Sequence, residues 1–380
     1  MSLRLLRRIL KSLLRRTHAI KVDMTSKLLA NLNLAILMDS MLARYYEKTS
    51  NFITWDVTPL RGFKDSSSKT KDNIYLNRKL STNDSRPFSN PFGDDLAVVI
   101  QGQIIVRNNL TKDIVHYYLK NFQQIKIILS TWADTPEDVI SEFNSFLTNP
   151  RFEMVLSTPP QTPGVFNINN QIVSSQRGLE SAIGVATFAI KTRTDQLLSS
   201  PSLLRNLYSI WLAYGERNEA DLKIVVSSLN TFGFRFYGAS DMFQFSKAKT
   251  LLHYWEQPLD YRPASELTQQ SNCMRTEGKK RVAEVYLNTN YFQKIRGTAP
   301  SFSWKENLQF IRDSFVIIDQ QALGQIWAKN TNLSNRWKSG LFPHKYYEFS
   351  HLDWLGMSNS FNQWIDFDSL LDSEDFFQNG

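Results

Sequence analysis

Apolar positions in this chain change their spacing several times, and the changes mark out the elements. Leu96-Ala-Val-Val-Ile-Gln101 is a continuous apolar run of strand length that ends at Gly102. Ile114, Val115, Tyr118, Leu119 and Phe122 then recur at helical spacing, and Ile125–Ser130 reads as a second buried strand. From about Asn170 a helix carries Ile172, Leu179, Ala182 and Ile183 on one face and stops at Gly184, before a strand over Val185–Ile190. Further on, 222–227 and 233–237 read as strands, 247–255 and 281–295 as helices with Glu284 in the first turn of the latter, and Phe315–Ile318 as a late strand. Strands that alternate with helices pair in parallel through right-handed crossovers, so the fold class is α/β, a mostly parallel sheet flanked by helices.

Outside this region the pattern differs. Residues 1 to about 48 read as two helical segments, and Lys64–Asp95 is polar, with Pro87 and Pro91, as a linker or surface excursion would be. The expected organisation is 1–95 as a helical extension and linker, 96–330 as the main domain, and 331–380 as an aromatic, acidic wrap.

The net charge of +8 is placed unevenly. Arg4, Arg7, Arg8, Lys11, Arg15, Arg16 and Lys21 stand without an acid in residues 1–21, and everything charged from Leu352 onward is acidic. A general nucleic-acid groove is therefore not required, and no nucleic-acid partner is expected. On a helical wheel Leu3, Leu6, Ile9, Leu10, Leu13 and Leu14 oppose the basic residues. Such a helix suits an anionic membrane surface, or docks on its own domain or acidic tail. No apolar run is long enough to span a bilayer, and arginines interrupt the first apolar stretch as they would not in a secretory signal. Cys273 stands alone, which fits a reducing compartment and excludes a cysteine metal cluster. The expected location is cytoplasmic, peripheral at the inner membrane surface if the basic helix binds there.

Lys191-Thr-Arg-Thr-Asp-Gln196 is the candidate site, because open α/β sheets bind ligands at the carboxyl ends of their strands. The five histidines show no metal-ligand spacing, and there is no Walker loop, G-x-S-x-G or G-x-G-x-x-G. Trp304, Trp327, Trp337 and Trp354 could stack on sugar faces, although most such residues serve a core.

Together with Val99–Gly102, Lys126–Trp132, Asn167–Val173, Ser240-Asp241, Ala283–Leu287 and Asp313–Ile318, this segment resembles the WavE lipopolysaccharide-synthesis family over about 96–330. Members of that family are regarded as GT-A-type glycosyltransferases. The resemblance implies a nucleotide-sugar donor and an oligosaccharide or lipid-linked glycan acceptor, in lipopolysaccharide or capsule synthesis. It places Gln101, Gly102, Thr131, Trp132, Asn169, Asn170 and Gln171 near the nucleotide or donor sugar, with Lys191 and Arg193 near the diphosphate. Arg193 stands where the GT-A paired-carboxylate motif has its first acid, so Asp195 alone remains to hold a divalent metal, Mg²⁺ or Mn²⁺. Alternatively Lys191 and Arg193 neutralise the diphosphate themselves. Glu284 is the candidate catalytic base and equally an ordinary helix-dipole partner; Asp241 contacts donor or acceptor, or simply forms a turn. A sugar nucleotidyltransferase and a non-catalytic glycan-binding scaffold are the competing functions. The former should show a Gly-rich, Arg-containing loop after the first strand, where only Gly102 is found.

Overall fold

The computed structural model describes residues 87–215, 223–233, 235–267, 273–328 and 348–360. The expected N-terminal helices, the basic segment 1–21 and most of the C-terminal wrap lie outside these residues. The central sheet has seven strands in the order β3-β2-β1-β4-β7-β6-β8. In chain order these are β1 (Leu96–Gln101), β2 (Lys126–Trp132), β3 (Phe152–Ser157), β4 (Phe188–Arg193), β6 (Ile224–Ser227), β7 (Gln244–Lys247) and β8 (Phe315–Ile318). A separate antiparallel pair joins β5 (Gln196–Leu198) to β9 (Gln325–Trp327). Only β7 runs against its neighbours, so the sheet is mostly parallel, as the alternating pattern implies.

Every residue of β1 is buried, which explains its unbroken apolar run: a central parallel strand is covered on both faces. The helices α1 (Leu110–Asn121) and α2 (Ile168–Ile183) connect strands of the parallel half. Gly178 lets α2 lie close to the sheet, because a Cβ there would meet Val99 Cγ1 at 2.4 Å and Ser130 Cβ at 3.0 Å. Beyond β7 come α3 (Ala248–Trp255), α4 (Met274–Lys279), α5 (Glu284–Arg296) and α6 (Trp304–Ser314). Ser303 caps α6 by accepting from the Glu306 N–H, and Gly297 ends α5 in the left-handed region.

Three sequence expectations change. The strand expected at 185–190 forms instead over Phe188–Arg193, which carries it into the Lys191–Arg193 motif. Among the described residues of 233–237 no strand forms, and residues 235–237 bend and turn. The backbone there is satisfied by side chains: Asn307 Oδ1 accepts from Tyr237 N at 2.6 Å, and Asn288 Nδ2 donates to the Tyr237 and Ala239 carbonyls, both at 2.8 Å. Finally, the stretch ahead of β1 is no surface excursion from Pro87 on. Phe88 packs on Phe122, and Phe92 sits among Phe188, Tyr208 and Phe245, both phenylalanines being buried.

Candidate functional site

A cleft of about 780 Å³ opens where β1, β2 and β4 end, and its lining draws on both halves of the sheet. From the parallel half come Gln101, Gly102, Trp132, Asn170 and Gln171; from the loop after β4 come Arg193 and Asp195; from the second half come Asp241 and Glu284. The carboxyl-end rule for open sheets thus selects the right edge. Gly102 has φ 119°, and a Cβ there would lie 3.2 Å from Thr194 Oγ1, so the turn after β1 needs the missing side chain. Gln101 is held by its own hydrogen bond, its Oε1 accepting from Ser174 Oγ at 2.6 Å.

Arg193 and Asp195 form the floor. Arg193 Nε and Nη2 donate to the two carboxylate oxygens at 2.9 and 3.1 Å, and Trp327 Nε1 donates to Asp195 Oδ2 at 3.1 Å. Asp195 is 2% exposed, while Arg193 keeps part of its side chain open and reaches Gln171 Oε1 from Nη1 at 3.4 Å. Burial works against the Arg193 charge, but the Asp195 carboxylate and its hydrogen bonds more than offset it, and the guanidinium is held more firmly protonated than usual.

These contacts decide how well the residues suit a divalent ion. Both Asp195 oxygens already carry N–H donors, and among the described residues no group of three or more His, Cys, Asp or Glu side chains comes together. An ion on Asp195 would have to share Oδ1 with Arg193 Nε or displace Arg193 or Trp327 from Oδ2. Asp195 therefore offers a metal at that position a single carboxylate that two donors already hold.

Glu284, also on the lining, opens α5. Burial raises its pKa; the Arg235 charge opposes the rise and Asp241 adds to it. Arg235 Nη1 reaches Glu284 Oε2 at 3.1 Å. The residue before Glu284, Ala283, has φ 49°, and Arg281 has φ 52°, so the chain enters α5 through two strained positions beside the cleft.

Three expected donor-site residues lie away from the lining. Thr131 is fully buried within β2. Asn169 is also fully buried, its amide donating to Asp260 O at 2.8 Å and Thr162 O at 3.1 Å and accepting from Asp260 N at 2.6 Å. It braces the loop ahead of α2. Lys191 lies beneath the floor with no exposed surface, donating to the Asp241 carbonyl at 2.6 Å, its Nζ 4.3 Å from the Trp255 ring centre. Burial pushes its ammonium down to about 7, with Asp241 partly countering. The sequence reading did not single out Arg235, Phe166 or Asn167 for the site, although all three line the cleft. Of the four tryptophans considered, Trp327 lines the cleft, Trp304 and Trp354 are buried, and Trp337 lies outside the described residues.

The charged cleft lies at the carboxyl ends of the strands of an open, mostly parallel α/β sheet, the place where sheets of this class bind ligands. Residues 96–367 match the family model described as WavE lipopolysaccharide synthesis, and the chain belongs to that family. Among curated proteins no match is found. Among solved structures the chain is similar to the mannosyltransferase PcManGT from Pyrobaculum calidifontis in complex with GDP-Man and Mn²⁺. The identity is 12%, over 80% of this chain and 91% of that one, with a TM-score of 0.32. Among the described residues no helix is long and apolar enough to cross a membrane.

Proposed function

We propose that this chain is a glycosyltransferase that moves a sugar from a nucleotide-sugar donor to a glycan acceptor in surface-polysaccharide synthesis. The observation that carries the reading is the meeting, around one cleft, of a firmly charged Arg193 and a buried Glu284 whose proton affinity is raised. A diphosphate leaving group needs a fixed cation, and an acceptor hydroxyl needs a base whose pKa lies closer to neutrality than that of an ordinary carboxylate.

In this reading the nucleotide lies along the β1–β2 side, near Gln101, Gly102 and Trp132, with Asn170 and Gln171 at the start of α2 turned to its diphosphate. Glu284 takes the proton from the acceptor hydroxyl. That oxygen attacks the anomeric carbon while the bond to the diphosphate breaks, and the electron pair leaves on the diphosphate, where Arg193 meets the charge. Asp241 supports the reaction by raising the Glu284 proton affinity and by facing the sugar. Arg193 is the cation that meets the diphosphate, held in place by the Asp195 carboxylate that Trp327 also grips.

The basic, leucine-striped residues 1–21 are proposed to bring the enzyme to an anionic membrane where a lipid-linked acceptor would sit. Removing them should weaken co-sedimentation with anionic vesicles and spare transfer to a soluble acceptor. The catalytic reading is tested by incubating the full chain with a panel of nucleotide sugars and following release of the nucleoside diphosphate, alone and with oligosaccharide acceptors. Binding without turnover across the panel would favour a glycan-binding scaffold, and release of pyrophosphate from a sugar phosphate and a nucleoside triphosphate would favour a nucleotidyltransferase.

A further inference from the structure

Among the described residues of the cleft lining, Phe166 is the one large apolar side chain left mostly in solvent, 65% exposed; Trp132 and Met242 on the same lining are buried. Its backbone is unusual as well. Phe166 (φ 55°, ψ 28°) and Asn167 (φ 62°, ψ 31°) are consecutive left-handed residues, a conformation that asparagine tolerates and that is a genuine outlier for a bulky side chain.

The loop that imposes this conformation is braced. Gly164 has φ 68°, and a Cβ there would come within 2.9 Å of both Asn169 Cγ and Ile168 Cγ2. The Asn169 backbone N–H donates to Pro163 O at 3.0 Å, and its side chain ties Thr162 to Asp260. Backbone strain that its surroundings hold in place, with an aromatic ring left in water beside the cleft, is the kind of outlier that clusters at ligand clamps.

The sheet order says which part of a ligand the ring would meet. The loop leaves β3, so Phe166 belongs with Trp132 and Gln103 on the β1–β3 side, whereas Arg235 and Glu284 come from beyond β4. Arg193, at the end of β4, lies between the two sets and touches Gln171 in the first turn of the helix that Phe166 precedes. A diphosphate over Arg193 with the sugar toward Glu284 leaves the planar end of the donor on the Phe166 side. We propose that Phe166 is a stacking platform for the donor nucleobase. The assignment deepens the nucleotide-sugar reading and rests on it.

Calorimetry of the full-length protein with UDP, GDP, ADP and inorganic pyrophosphate tests it. Stacking on an aromatic ring is lost in Phe166→Ala, which should weaken the preferred nucleoside diphosphate by about tenfold or more. Pyrophosphate binding should be unchanged, and Phe166→Tyr, which keeps the ring, should bind as wild type does. Unchanged nucleotide affinity in Phe166→Ala overturns the assignment, as does an equal loss for nucleotide and pyrophosphate, which would make the ring a support of the diphosphate site. Should Phe166→Ala fail to fold, Phe166→Leu against Phe166→Tyr carries the same comparison. A wild-type protein that binds pyrophosphate and no nucleotide, or neither, overturns the nucleotide-sugar reading itself and the platform with it.

Discussion

Arg193 holds both carboxylate oxygens of Asp195, two residues further along the chain, at 2.9 and 3.1 Å, and Trp327 closes the same carboxylate from a distant strand. Asp195→Asn keeps the shape but removes the charge and one acceptor. It should therefore cost about 2 kcal/mol of stability, read as a lower urea midpoint, because hydrogen bonds to charged groups are worth that order. Nucleoside diphosphate binding should fall with it as Arg193 loses its anchor. An unchanged midpoint with loss of Mn²⁺-dependent binding alone would return Asp195 to the role of metal ligand.

Glu284→Gln should lower turnover by about two orders of magnitude with donor affinity little changed, the usual scale of a general base. In the wild type, activity should rise with pH through a limb above the ordinary carboxylate range, since burial raises the Glu284 pKa. That limb should vanish in the variant. Stability carries the opposite sign: a carboxyl that holds its proton more tightly when folded loses stability as pH rises from its unfolded pKa through its folded one. Glu284→Gln should flatten that fall, and an equal slope in both proteins would deny Glu284 its raised pKa.

Lys191 should leave its own mark at alkaline pH. Its folded pKa of about 7 lies below the ordinary 10.5, so the unfolded chain binds the extra proton between those values and its contribution to stability grows as pH rises through them. Urea unfolding across that range should show this rise in the wild type and not in Lys191→Met. The variant should also be less stable at neutral pH, having left the Asp241 carbonyl without its donor.

Asn169→Ala should lower the melting midpoint by roughly 5 °C or more, because two buried hydrogen bonds to Asp260 and a part-buried one to Thr162 are lost, and the Asp260 partners are left unsatisfied. Nucleotide affinity should drop too, as the loop that carries Phe166 loses its brace. A drop in affinity without any change in melting would mean that the amide touches the ligand directly.

Periodicity and residue type by themselves determined the α/β class, β1 and β8 to the residue, the main parallel-half helices, and the strand-end loop with Asp195. These features are local: an unbroken apolar run is needed by a central strand whatever surrounds it, and helical spacing reports one buried face. Edge and polar strands were not legible in the same way. β3 carries Glu153 and an exposed Leu156 at the sheet edge, and β7 reads Gln-Phe-Ser-Lys, so neither presents a run that stands out from loop sequence. The family resemblance drew Gln101, Gly102, Asp241 and Glu284 into one expected site, but it could not say which polar groups would already be engaged. That was decided by tertiary contacts between residues far apart in the chain. Trp327 closes on Asp195, Arg235 pairs with Glu284, and Asp260 consumes the Asn169 amide, leaving the donor set and charge of the cleft different from those of its residues taken singly.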